Sequence, residues 1–225
     1  MPDVTAPSEQ QQLADWPLFA GLDAATLQQV ASSLRRRVCG PGQVIASEGS
    51  PGQALYVVAE GMLRASQLSL EGREHVLAYL GPGECFGLAA CINGGDHLAT
   101  LEASTNAILY ELPRDRFQLL MQSNPSFSLA VARQLARNER LLAAKIKDLA
   151  LYTVRARLAR FLLTYAEKSP AQRRWTQETI AAHIGTVRDV VGRILRAFEE
   201  EGIIRRERGR MLVLKRKALE REAQL

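Results

Sequence analysis

From residue 126 to 149 the chain reads SFSLAVARQLARNERLLAAKIKDL, with neither glycine nor proline. Apolar residues recur there at three- and four-residue steps: Val131, Leu135, Leu142, Ile146 and Leu149, with Asn138 as a lone polar member of the stripe. That period places them on one face of a long helix. Sustained over two or more heptads, the stripe reads as a coiled-coil seam between two copies of the chain. The competing reading is a helix packed on its own domain's core, although the helix is long for one small β-domain to cover.

Before this helix the period changes. Residues 23–39, DAATLQQVASSLRRRVC, have helical spacing and a start signal at Asp23. From about 40 to 112, glycines at 42, 49, 52, 61, 72, 81, 83 and 87 separate runs such as QALYVVAEG, MLRASQL and REHVLAYLGPG. Short strands between glycine turns predict a β-sandwich or barrel.

After the long helix the helical period returns in shorter pieces. Thr153 is placed to cap VRARLARFLLTYAEK, SPAQRR is polar loop, and TQETIAAHI starts a helix at Thr176. A second helix opens at Thr186 and ends at Gly202, a C-terminal glycine stop. IIRRERGRMLVLK then reads as two strands around an Arg208-Gly209 turn. Helix, short turn, helix and hairpin make a winged helix-turn-helix. The expected class is α+β, divided into a flexible N-terminus (1–17), a β-domain (18–125), a dimerisation helix (126–150) and a DNA-binding domain (151–225).

Charge sharpens the division. Residues 1–149 hold 12 Lys/Arg against 15 Asp/Glu, whereas 150–225 hold 17 against 9. A basic C-terminal third behind a mildly acidic body suggests a module for a polyanion, the alternative being a solvated basic surface. The helix from Thr186 carries Arg188, Asp189 and Arg193 towards its front and Glu199, Glu200 and Glu201 at its back. Acidic groups are disfavoured at a helix C-terminus. In a helix-turn-helix the front of the second helix meets base edges. Arginine can donate twice to guanine, and a carboxylate can accept from cytosine N4. Thr186 is read as the N-cap, Arg188 and Arg193 as DNA-facing, and Asp189 as either a base contact or a cap for the dipole. Arg205, Arg206, Arg208 and Arg210 crowd the hairpin, where side chains commonly meet phosphates.

Other classes fit poorly. Three cysteines (Cys39, Cys85, Cys91) do not make a disulfide framework. The start MPDVTAPSEQQQ lacks a signal peptide's pattern, and no apolar run approaches a membrane span, so a cytoplasmic protein without membrane contact is expected. A cupin-type enzyme would need clustered histidines and carboxylates, and only His75 and His97 are available in the β-domain. No enzyme is expected.

The stretches GQVIASEGSPGQALYVVAEGMLRAS, EGREHVLAYLGPGECFG and QETIAAHIGTVRDVVGRILRAFEEEGII resemble the cyclic-AMP receptor protein/fumarate-nitrate regulator (CRP/FNR) superfamily of bacterial transcription factors, from about Leu18 to Leu214. The resemblance implies a jelly-roll sensor like a cyclic-nucleotide-binding domain, a dimerising helix and a winged helix on double-stranded DNA. An activator of this kind would also engage RNA polymerase. Arg188 to Arg193 looks like the receptor's Arg-Glu-x-x-x-Arg, with Asp189 in place of Glu, which implies a TGTGA-like half-site.

The resemblance also marks the effector positions. Leu88 stands where the family has the ribose-binding Glu, Leu98 and Ala99 where it has the phosphate-binding Arg-Ser, and Leu142 and Ala143 where it has two adenine-contacting hydroxyls. A cyclic phosphate buried without polar partners is prohibitively costly. Cyclic AMP is therefore not expected, and an apolar cavity lined by these five residues, or none, is. The iron–sulfur branch uses a cysteine-rich N-terminus that this sequence does not show, so no iron–sulfur cluster is expected. DHLATLEAST is similar to haem-linked nitric-oxide sensing regulators, which makes His97 or His75 the candidate haem ligand. A regulator without any effector is the remaining alternative.

Overall fold

The computed structural model describes residues 13–165, 175–207 and 210–224. They form two compact units: residues up to 67 together with 77–140, and residues 68–76 together with 141–225. These units do not follow the sequential limits expected above. The hairpin tip 68–76 groups with the C-terminal part, and the long helix is divided between 140 and 141.

The first unit begins with α1 (Ala24–Ser33), capped as expected by Asp23, whose carboxylate accepts from the Thr26 amide at 2.8 Å and the Thr26 hydroxyl at 3.0 Å. The strands are β1 (Arg35–Cys39), β2 (Val44–Ala46), β3 (Ala54–Glu60), β4 (Leu63–Leu68), β5 (Glu74–Leu80), β6 (Cys85–Phe86), β7 (Thr100–Ala103) and β8 (Ala107–Pro113). They make two four-stranded sheets, β1-β8-β3-β6 and β2-β7-β4-β5. The helices are α2 (Leu88–Asn93), α3 (Arg114–Ser123) and α4 (Pro125–Leu151).

Strand β3 explains the layering. Leu55, Val57 and Ala59 alternate with Ala54, Tyr56 and Val58, and all six are buried. The first three join a core with Phe19, Leu112, Phe117, Phe127 and Val131; the second three join Leu63, Ala99, Leu101 and Leu109 inside the roll. A strand covered on both faces reads as the continuous apolar run ALYVVA rather than an alternation. The turn from β3 to β4 needs Gly61. Its φ is +83°, and a Cβ there would sit 2.3 Å from the Asn106 carbonyl oxygen.

Two expectations change here. Leu13 and Trp16 are buried in the first core, so residues 13–17 are anchored by apolar packing and not a loose N-terminus; residues 1–12 lie outside the described ones. Leu88 begins a short helix that the glycine-turn pattern did not predict.

The second unit contains α5 (Val154–Tyr165), α6 (Gln177–Ile184), α7 (Arg188–Glu200), β9 (Ile204–Glu207), β10 (Arg210–Val213) and α8 (Arg216–Glu222). Thr153 caps α5, its Oγ1 accepting from the Ala156 amide at 3.1 Å. Leu158, Leu162, Ile180, Val191, Leu195, Phe198, Ile204 and Leu219 form one core. Leu219 belongs to α8, which the sequence pattern did not predict.

Candidate nucleic-acid interface

Helix α6 starts at Thr176, whose hydroxyl accepts from the Thr179 amide at 3.1 Å. It stops at Gly185, where φ is +72°. The Thr186 amide then closes the turn on the Ala181 carbonyl at 3.0 Å. One expectation is corrected here: the N-cap of α7 is the extended Val187, without a side-chain cap bond, and not Thr186, because the helix starts one residue later. Thr186 is half-buried, while Arg188 and Asp189 are exposed in the first turn of α7.

Along α7, Val191, Leu195 and Phe198 are buried at steps of four and three. The other side exposes Arg188, Asp189, Arg193 and also Arg196. Asp189, Arg193 and Arg196 follow the same steps of four and three, so they share a face. Sequence reasoning missed Arg196, although that period from Asp189 could have found it. Thr176, Gln177, Glu178 and Arg188 line an open cleft of about 360 Å³ at the starts of α6 and α7. Gly192 lets α6 approach: a Cβ there would lie 3.0 Å from Gln177 Oε1.

The acidic end of α7 is fastened to cations. Gly202, at φ +65°, donates to the Glu199 carbonyl at 2.9 Å, and Ile203 donates to the Phe198 carbonyl at 2.8 Å, which satisfies two terminal carbonyls. Glu199 accepts from Arg206 Nε at 2.9 Å and pairs with its Nη2. This bond holds the Glu199 carboxyl below the ordinary carboxylate range. Both Glu201 oxygens accept from Arg155 Nη2 at 2.8 Å. Arg155 also holds Glu222 at 2.6 Å and lies 4.5 Å from the Phe198 ring centre.

The wing therefore differs from a row of free arginines. Arg206 is engaged by Glu199, and Arg205 pairs with Glu207 at 3.0 Å. Arg208 lies outside the described residues. Arg210 opens β10 opposite Glu207 in the strand register.

The five expected effector residues have different surroundings. Leu88 is in the core that faces α1 and α3, and Ala99 is in the core inside the roll. Leu98 is 68% exposed, its carbonyl accepting from Gln67 Nε2 at 2.7 Å. The expectation of one cavity lined by Leu88, Leu98 and Ala99 is thus corrected: α2 turns Leu88 into the helical layer, and the chain bends at residues 98 and 99 before β7, leaving Leu98 exposed and Ala99 buried. Leu142 and Ala143 are exposed on α4, in the other compact unit.

Neither histidine fits a haem. His97 is 4% exposed and stacks on Phe86 at 5.3 Å, with Tyr56 at 6.0 Å. The ring of His75 lies against Gly185, whose added Cβ would be 3.5 Å from His75 Cε1. Iron takes a histidine through a ring nitrogen, and His97 Nδ1 and His75 Nε2 are both buried within protein. Burial pushes the thiols of Cys85 and Cys91 up to about 12 and about 11, away from the thiolate form that binds metals. Among the described residues no group of three His, Cys, Asp or Glu could hold a metal ion, and no helix is long and apolar enough to cross a membrane.

The stripe of α4 divides as well. Val131 is a core residue of the first unit, because the opening turns of α4 cover that unit's helical layer. It is thereby removed from the expected dimer seam. Leu135, Leu142, Ile146 and Leu149 are exposed, as is Leu141. Asn138 Oδ1 accepts from Gln134 Nε2 at 3.0 Å within the helix.

A jelly roll of two sheets, a long helix and a winged helix-turn-helix are together the architecture of a transcription regulator. Residues 36–124 match the cyclic nucleotide-binding domain family and 156–222 the Crp-like helix-turn-helix domain. The Cyclic AMP receptor protein of Thermus thermophilus is 34% identical, over 84% of this chain and 88% of its own length. The structure of a Crp/Fnr-family transcriptional regulator from Eubacterium rectale superposes with a TM-score of 0.80, at 26% identity over 93% of this chain and 99% of that one. A CRP-family regulator from Thermus thermophilus gives 0.70, at 30% identity over 84% and 97%. The chain belongs to the CRP/FNR family of transcription regulators and carries a DNA-binding helix-turn-helix domain.

Proposed function

We propose that the protein acts as a cytoplasmic homodimer on an inverted-repeat operator, with α7 of each copy in a major groove. The observation that carries this reading is the exposed face Arg188, Asp189, Arg193 on a helix whose other face is buried. Arg188 and Arg193 read guanines, Asp189 accepts from a cytosine, and the half-site is related to TGTGA. The exposed stripe Leu135, Leu142, Ile146 and Leu149 supports a two-fold helix pair, which spaces the half-sites about one helical turn apart. Selection from a random duplex pool tests this directly. An inverted repeat of TGTGA-like half-sites is expected; a single or direct repeat overturns it.

The effector reading runs against the name of the Thermus thermophilus relative. The buried polar side chains among the described residues are Thr26, Ser66 and His97, and none is a permanent cation. A cyclic phosphate inside the roll would lack a charged partner. An effector held there is largely apolar, with His97 Nδ1, buried and without a hydrogen bond, as its polar contact. Calorimetry at millimolar cyclic AMP should give no binding heat and no gain in operator affinity; micromolar binding with enhanced affinity refutes this reading. A regulator without effector is the second reading, favoured by Ala99 and Leu101 filling the interior at 1% and 0% exposure.

A further inference from the structure

Residues 68–76 are the tip where β4 turns into β5, yet they group with residues 141–225. The turn closes on itself through Gly72 N–H to the Ser69 carbonyl and Ser69 N–H to the Arg73 carbonyl, both 2.9 Å. Just beyond it, His75 Nδ1 lies 3.0 Å from the carbonyl oxygen of Ala182, in the last turn of α6. A carbonyl only accepts, so Nδ1 carries the hydrogen. Nε2 is then the lone-pair nitrogen, buried and without a hydrogen bond. The next residue, Val76, offers its carbonyl to Lys145 Nζ at 2.5 Å.

A second side chain holds the same helix end. Arg157 of α5 donates to the Gly185 carbonyl at 3.3 Å and to the Leu149 carbonyl at 3.0 Å. Carbonyls in the last turn of a helix have no partner within it, so side chains that occupy them fix where the chain goes next. Here the chain goes through Gly185, Thr186 and Val187 into α7.

We propose that His75 is a positioning residue for DNA binding: its Nδ1–H holds the end of α6, and with it the turn that aims Arg188, Asp189 and Arg193. This rests on the reading of α7 as the recognition helix.

The contact is also sensitive to acid. Burial, Lys145 on α4 and Arg157 on α5 hold His75 below its ordinary value of 6.5, while the Ala182 carbonyl acts in the opposite direction. Asp148 on α4 attracts both Lys145 and Arg157, His183 on α6 follows Ala182, and Arg73, paired with Glu71, and Glu74 precede His75 on the hairpin. The docked state therefore binds fewer protons than the undocked state, in which the ring titrates near 6.5. Docking is complete above that pH and weakens as pH falls below it towards the depressed value.

The test compares wild type, His75→Asn and His75→Leu in the full chain. Affinity is read by fluorescence anisotropy between about pH 5.5 and 8, on a duplex the wild type selects from a random pool. Hydrogen exchange at the Thr186 to Val190 amides is read alongside. Asn keeps an N–H donor and does not titrate. Its affinity should stay within about threefold of wild type above neutrality and should not share the acid-side fall. Leu keeps the bulk and loses the donor. It should bind roughly tenfold more weakly, the size of one buried hydrogen bond, with faster exchange at those amides. Wild-type affinity and exchange in His75→Leu, or a wild-type pH profile in His75→Asn, overturns the proposal. If no duplex is selected, the operator reading fails, while the exchange rates still decide the role of His75.

Discussion

Helix α7 and strand β3 both contribute to the core of a unit, but they are built differently. Strand β3 buries both faces, so every side chain from Ala54 to Ala59 answers only to packing. Helix α7 buries Val191, Leu195 and Phe198 and leaves Arg188, Asp189, Arg193 and Arg196 to solvent. An exposed side chain without a packing constraint can be chosen for what it touches. On α7, chemistry therefore stands on the surface in identifiable residues. In the roll, the interior says which polar ligands would be unpaired there, and does not name one that fits.

The largest test of that contrast concerns exposed apolar residues, which follow the same logic as exposed arginines if they serve a second copy. Ile146 is 66% exposed on α4. Ile146→Glu should convert the proposed dimer to a monomer in sedimentation. Operator affinity should fall by about 10²–10⁴, the gain that comes from tethering two reading heads. A variant that stays dimeric with full affinity would break the contrast, because a conspicuous exposed stripe would then carry no function.

Arg193 sharpens the contrast at the next scale. Arg193→Ala should cost about 1–3 kcal/mol per half-site on the selected operator and relax the preference at one base pair. Random duplex should be affected much less. Equal losses on both would make Arg193 a phosphate contact, and the exposed face of α7 would then supply affinity rather than sequence choice.

What was legible in the sequence follows the same division. The caps at Asp23, Thr153 and Thr176 and the stop at Gly202 were readable because each depends on a few neighbouring residues. The run ALYVVA and the glycine spacing indicated the roll. Thr186 was misread because a good capping residue sat one position before the actual cap, Val187. Val131 was misread because the stripe's period continues unbroken from core to solvent, so spacing alone cannot show where burial ends. The grouping of 68–76 with the C-terminal residues goes with a contact 107 positions apart, His75 to Ala182, which no local pattern encodes. The five effector positions had chemistry that could be judged from sequence, but the separation of Leu88 and Ala99 into two cores depends on how α2 turns, and the exposure of Leu98, Leu142 and Ala143 is not encoded locally.

The smallest test concerns the wing, where exposure and freedom part company. Arg206 looks in sequence like its neighbours, yet Glu199 holds one edge of its guanidinium through two bonds. If Arg206 met a phosphate, Arg206→Ala would lower the magnitude of the salt slope by about 0.9. If Arg206 stays with Glu199, the slope should change by less than about half of that. Stability should fall by under about 1 kcal/mol, as for a part-exposed pair. We expect the second outcome, read from operator titrations at several salt concentrations and from urea unfolding. The reverse substitution decides between the two readings. Glu199→Gln removes the carboxylate and leaves Arg206 as an unopposed cation, so affinity for random duplex should rise modestly and the salt slope should steepen. If Glu199→Gln changes neither, Arg206 faces away from the phosphates, and its work is to tie β9 to the end of α7.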